Sequence, residues 1–426
     1  MNNLDFIVAS QKSGEARGIT SVCSAHPFVL EATLRHGVSI AEHAPVLIEA
    51  TCNQVNQFGG YTGMRPADFV QFVHEIADRI GFPHQNLILG GDHLGPLVWS
   101  NEPAERAMAN AKDLVAEYVR AGFEKIHLDC SMPCVGDSEL PLEVISRRTA
   151  DLAAAAEMAA TNHNFTPRYS IGSEVPPAGG AKAGEEHLVV TDSVNAAETI
   201  DLTHRAFSAQ GLESAWEQRV IALVVQPGVD FGDESIHDYH RPAAADLARF
   251  IEMVPGLVYE AHSTDYQTQE ALREMVEDHF AILKVGPGLT YAFREAIFAL
   301  ADLENILIPA DRVSHIQEAL EKAMLDNPSH WQKHYAGSPE KQKFARFFSF
   351  SDRIRYYWPV PGVQAAFEHL MANLEEHQPL PHSLVSQYLP RQYEQIRDGR
   401  LENHPRALLM GRVQDVLEVY RIACEG

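Results

Sequence analysis

Short apolar runs recur along the chain, each closing on polar or glycine-rich residues. They cover Gly18–Cys23, Val46–Ala50, Leu87–Gly91, Lys125–Asp129, Arg168–Glu174, Val220–Gln226, Leu257–Ala261 and Ala281–Val285. Each has the length of a strand, and a spacing of about 24 to 50 residues leaves room for a helix and two loops between neighbours. Runs such as Ile221-Ala-Leu-Val-Val225 are apolar without alternation, the pattern of a parallel strand covered on both faces.

The intervening segments carry a helical period. Pro66–Ile80 opens on proline and stops before Gly81. Ala104–Ala121 and Leu142–Ala160 are built from strong helix formers, and Ala243–Met253 and Gln267–Asp278 repeat the pattern. Eight such units predict an α/β fold, a (β/α)8 TIM barrel over residues 1–302. The competing open doubly wound sheet lacks its glycine-rich fingerprint after the first strand. Beyond the barrel, Arg312–Leu325 reads as an amphipathic helix, Ser349–Pro361 as aromatic and basic, and Met371–Arg412 as helical with proline breaks. This predicts a C-terminal helical extension, 303–426, docked on the barrel because no low-complexity linker separates the two.

Composition narrows the partners. Among 426 residues, 58 are acidic and 34 are Lys or Arg, a formal net charge of −24. Such a surface repels nucleic-acid backbones and anionic membranes, although a few basic groups still suffice for a small anion. The five cysteines, Cys23, Cys52, Cys130, Cys134 and Cys424, form no framework and suggest reduced thiols in a cytoplasm. The N-terminus, Met1-Asn-Asn-Leu-Asp5, does not read as a signal peptide, and no run of about 18 apolar residues suggests a membrane span.

A parallel barrel puts its chemistry at the C-terminal ends of its strands. There the sequence offers Asp92-His93, Asp129, Glu174 and His262. His93, Asp129, Glu174 and His262 combine imidazole and carboxylate donors suited to a divalent metal (Zn, Mn or Mg), and Asp92 beside them can move a proton. In a deprotonation route, Asp129 or Glu174 would be the base. Phosphate commonly binds after strands seven and eight. That corner carries Ser263, Thr264 and Asp265, then Lys284, Gly286, Gly288 and Thr290, although its glycines also suit tight turns. Arg353 and Arg355 could add fork-like donors or serve as docking contacts. The loop opened by Glu49, with Asn53 and Gln57, suits a polyhydroxylated ligand because amides both donate and accept; it could equally satisfy its own backbone. There is no G-x-x-x-x-G-K-[ST], no G-x-G-x-x-G followed by an acid, and no G-x-S-x-G.

Longer strings identify a resemblance. Asn53-Gln-Val-Asn-Gln-Phe-Gly-Gly-Tyr-Thr-Gly-Met64, Gly90-Gly-Asp-His-Leu-Gly-Pro96, Tyr259-Glu-Ala-His-Ser-Thr-Asp-Tyr-Gln267 and Asp352-Arg-Ile-Arg-Tyr-Tyr-Trp-Pro359 closely resemble the non-catalytic (Z) subunits of class II D-tagatose-1,6-bisphosphate aldolase, the GatZ/KbaZ family. Some members carry an older label of tagatose-6-phosphate kinase, which the missing nucleotide motifs oppose. The resemblance implies a barrel, galactitol or amino-sugar catabolism, and in some members association with a catalytic aldolase subunit in an oligomer. A more distant resemblance to class II aldolases matches Asp92-His93, Asp129, Glu174 and His262 to four of five stations. Gln226 stands where a metal-binding histidine would be expected, a weaker ligand. Two readings follow. One is metal-dependent aldolase-type chemistry on a phosphorylated ketohexose, including C4-epimerisation of tagatose 6-phosphate to fructose 6-phosphate. The other is a stabilising, non-catalytic subunit.

Overall fold

The computed structural model describes residues 3–40, 44–161, 165–175 and 188–425. Met1 and Asn2 of the N-terminal stretch fall outside them. Eight parallel strands close a barrel: β1 (Ile19–Cys23), β2 (Val46–Thr51), β3 (Leu87–Leu94), β4 (Lys125–Asp129), β5 (Arg168–Gly172), β6 (Val220–Val225), β7 (Val258–Ala261) and β8 (Phe280–Val285). β8 returns to β1, with Lys284 opposite Ser21. The expected TIM barrel is therefore present. β3 runs past the expected Gly91, and β5 stops before Glu174, which lies in the following loop.

The barrel interior is layered. At its N-terminal end Ile19, Leu47, Ile88, Ile221, Val258 and Ile282 form one buried cluster with Leu4, Ile7 and Val8 of the helix Asn3–Lys12, which plugs that end. Further along, the inward positions turn polar: Ser21, Glu49, Lys125, Ser170, Glu260 and Lys284 are all buried. Their outward neighbours, such as Ile126, Leu128 and Tyr259, join the main core formed with the helices.

The boundary expected at 302/303 lies inside the helix Pro287–Leu307, which continues directly from β8. Four prolines of the extension open helices: Pro339–Phe348, Pro361–Glu375, Pro390–Arg397 and Pro405–Glu425. The last of these packs between the helices Pro27–Ser39 and Gln269–Glu277 and reaches β1. Gly18 N donates to Cys424 O at 2.8 Å, and Tyr420 OH donates to Thr264 O at 2.7 Å. The extension thus completes the helical ring around the barrel. Among the described residues, no helix is long and apolar enough to cross a membrane.

Candidate active site

Asp92 and His93 are consecutive, and in a regular strand they would point to opposite faces. Here the pairing of β3 with β4 shifts register between Gly91 and Leu94, and His93 adopts φ +50°. This irregularity re-aims one side chain, as bulges beside active sites do, and both residues are buried in one group. A Cβ at Gly95 would lie 1.6 Å from the carbonyl oxygen of Asp129, so glycine is required where β3 ends against β4. Simple alternation on β4 brings Lys125, His127 and Asp129 inward, and Glu260 and His262 share a face on β7 and its exit.

Two shells of charge result. Lys125 Nζ sits 2.8 Å from both Glu49 Oε1 and Glu260 Oε2, with no solvent exposure. Above it Lys284 Nζ pairs with Asp92 and lies 2.8 Å from Glu260 Oε1. His262 Nε2 is 3.0 Å from Glu260 Oε1, and His127 Nδ1 is 3.1 Å from Asp92 Oδ1. His93 Nδ1 is 2.8 Å from Asp129 Oδ2, while Asp129 Oδ1 accepts from Ser131 N and Oγ.

The field sets protonation. Burial would raise the Asp92 carboxyl, but His93, Lys284 and His127 hold it well below the usual carboxylate range. Burial, then Lys284, pushes His127 and His262 down, which favours their neutral rings. Burial works against the charged form of His93 too, yet Asp92 and Asp129 raise it. Lys284 is raised well above the ordinary lysine value by Asp92, Glu260 and Glu49, against burial.

These residues fit a divalent cation. One donor atom each from Asp92, His93, His127 and His262 lies within 4.8 Å of the others. His127 Nε2 is buried without a hydrogen-bond partner. His127 Nδ1 lies 3.1 Å from both Asp92 Oδ1 and the donating N–H of His93; the tautomer with its proton on Nδ1, facing Asp92, is the one that leaves the Nε2 lone pair free. Among the described residues, four buried carboxylates, Glu49, Asp92, Asp129 and Glu260, stand with two buried ammonium groups, Lys125 and Lys284.

A cavity of about 320 Å³ opens above this group, within the range of small-molecule sites. Asp92, His93, His262 and Lys284 reach it, with Cys23, His26, Asn53, Gln54, Ser263 and Asp265 around them. The extension supplies the outer wall through the turn Arg353–Tyr357. Arg355 and Tyr356 line the cavity, and Tyr356 meets Tyr61 edge-on at 5.0 Å between ring centroids. Arg355 is pinned by Asp352 O and by Tyr356 OH, over whose ring it stacks.

Several sequence candidates stand elsewhere. Glu174 is exposed and accepts from Thr191 and Asn195, so it is not part of the imidazole group. Gln226 folds back to accept from Gly228 N and Val229 N, capping the turn after β6. Both oxygens of Asp129 are engaged, which makes it an orienting partner of His93. Glu49 lies below the cavity with Lys125. Gln57 donates to Asn110 O, and Arg353 donates to His330 O. In the expected phosphate corner, Gly286 N and Gly288 N donate to Asp265 Oδ1, Thr290 Oγ1 donates to Asp352 Oδ2, and Thr264 Oγ1 donates to Lys284 O. Missed by the sequence reading were His127, Lys125 and Glu260. Their signal was there: polar residues alternating with apolar ones inside the runs Lys125–Asp129 and Val258–His262.

Fold and site together define a (β/α)8 barrel protein with a buried carboxylate–imidazole group under a cavity at the C-terminal rim. The chain matches the family described as D-tagatose-1,6-bisphosphate aldolase subunit GatZ/KbaZ-like over residues 4–425, and it belongs to that family. It is similar to the crystal structure of a probable tagatose 6-phosphate kinase from Sinorhizobium meliloti, with 47% identity, 96% of this chain and 100% of that chain covered, and a TM-score of 0.88. More remote are a fructose-bisphosphate aldolase from Campylobacter jejuni (14% identity, 88% and 92% covered, TM-score 0.46) and the fructuronate-tagaturonate epimerase UxaE from Cohnella laeviribosi (12%, 95% and 81%, TM-score 0.45). These last two similarities carry no functional argument.

Proposed function

We propose that this chain interconverts ketohexose phosphates, with tagatose 6-phosphate and fructose 6-phosphate as the C4-epimeric pair. Family membership supports a place in tagatose phosphate metabolism. The observation that carries the reading is the buried Asp92–His93–His127–His262 group, of which Asp92, His93 and His262 reach the cavity.

His93, His127 and His262 are the residues that would hold a divalent ion, with Asp92 beside it. Such an ion supplies Lewis-acid polarisation of a ketose carbonyl. Asp92, ionised and facing the cavity, takes the proton of the C4 hydroxyl. The C3–C4 bond then breaks, its electron pair passing toward the C2 carbonyl oxygen, and a C4 aldehyde forms. The aldehyde turns, the C3–C4 bond re-forms on its other face, and Asp92 returns the proton. Lys284 keeps positive charge beside the carboxylate throughout, and three carboxylates hold it protonated, which opposes its use as a Schiff-base amine. Arg355 offers a guanidinium to the phosphate.

A second reading, a non-catalytic partner of an aldolase subunit, is favoured by the ion pair of Lys284 with Asp92. An ammonium there competes with proton uptake. Incubating the purified chain with Mn²⁺, Zn²⁺ or Mg²⁺ and tagatose 6-phosphate, followed by carbon-13 NMR, separates the two. The enzyme reading expects fructose 6-phosphate from the wild type and a loss of about 10²–10⁴-fold in Asp92→Asn. No turnover with any of the three ions overturns it.

A further inference from the structure

The backbone N–H groups after strands seven and eight are the usual phosphate cradle of a barrel. In this chain that corner is already anionic. Asp265 Oδ1 accepts from Gly286 N at 2.9 Å and from Gly288 N at 2.7 Å. Asp352 Oδ2 takes the hydroxyl of Thr290 at 2.6 Å. Both carboxylates are buried, and Asp265 lines the cavity. Of the cavity's cationic side chains, Lys284 is committed to Asp92 and Glu260, which leaves Arg355 to receive an anion. The cavity thus offers one guanidinium and, at the customary cradle, the Asp265 carboxylate.

We infer that Asp265 is a specificity-determining residue that restricts the cavity to ketohexoses bearing a single phosphate and turns away 1,6-bisphosphates. The inference rests on the reading that this cavity binds a ketohexose phosphate. The carboxylate occupies both N–H donors that a second phosphate would need, and it repels the dianion at short range in a site screened from water. Removing the side chain frees Gly286 N and Gly288 N. Replacing it by Asn keeps an acceptor oxygen for both and removes only the charge.

The test is calorimetric binding of tagatose 6-phosphate and tagatose 1,6-bisphosphate to the full chain, without reliance on turnover. The wild type is expected to bind the monophosphate at least about tenfold more tightly. Asp265→Ala should shrink that ratio by about tenfold or more through a gain for the bisphosphate, and Asp265→Asn by a smaller factor. Asp265→Asn also serves if the alanine variant fails to fold, since it preserves the two backbone contacts. Equal binding of both sugars by the wild type overturns the inference, as does an unchanged ratio in the folded variants. Binding of neither sugar overturns the reading of the cavity itself, a result distinct from equal binding.

Discussion

Asp129 holds His93 by its Nδ1 at 2.8 Å and so decides which nitrogen of His93 faces the cavity. The opposite oxygen of Asp129 is tied to Ser131, which fixes the carboxylate itself. Carboxylates behind metal-binding histidines orient the ring and raise its basicity. Asp129→Ala is therefore expected to lower Mn²⁺ affinity about 10–100-fold, read by isothermal titration, with the circular dichroism spectrum unchanged. Unaltered affinity would show that His93 needs no such support.

The Lys125 ion-pair group beneath the cavity sets a stability expectation. Lys125 bridges Glu49 and Glu260, and all three side chains are fully buried. Lys125→Met leaves Glu49 and Glu260 with Lys284 alone, which they already share with Asp92, at a cost of about 3–5 kcal/mol. Adding Glu49→Gln should recover part of the loss. Urea unfolding that places the single variant within about 1 kcal/mol of wild type would contradict this account of the interior.

Asp265 gives a pH dependence. Burial raises its carboxyl to about 6, opposed by the N–H groups of Gly288 and Gly286. The folded chain thus binds this proton more tightly than the unfolded chain does. The resulting stability is full below the unfolded value, near pH 4, and is lost as pH rises through about 6. Asp265→Asn does not titrate. The unfolding free energy of wild type minus that of the variant should fall by about 2 kcal/mol between about pH 4 and pH 7. A difference that is flat across this window would contradict the shift.

The bond broken in the proposed reaction leaves an isotopic record. Cleavage and re-formation of C3–C4 never touch the C4–H bond, whereas direct deprotonation at C4 exchanges it. Turnover in D₂O should give fructose 6-phosphate with no deuterium at C4, seen by NMR. Deuterium at C4 would replace the aldol route with a proton-abstraction route.

The strands and the chemistry at their ends were legible to different degrees. All eight apolar runs became strands because a parallel barrel buries them on both faces, and Pro66–Ile80, Ala104–Ala121 and Leu142–Ala160 are helices with those bounds. The helix Pro27–Ser39 was less legible, since its histidine, threonine and glycine dilute the periodicity. Asp92, His93 and His262 could be found because they stand at strand ends. His127 was hidden because it sits mid-run, where only the alternation of a barrel interior marks it. Glu174 and Gln226 misled for a related reason: nearness to a strand end does not fix where a side chain points, and both turn to satisfy local loop groups. The fate of Gly286, Gly288 and Thr290 depended on carboxylates from other loops, Asp265 and Asp352, which no local pattern announces.

The most direct test of the central claim is Mn²⁺ binding by the wild type and four single variants. One ion per chain is expected, with affinity lowered at least about tenfold in His127→Ala and His262→Ala and retained in Glu174→Ala and Gln226→Ala. A wild type that binds no ion, or a site lost in the Glu174 and Gln226 variants but kept in the histidine variants, would contradict it.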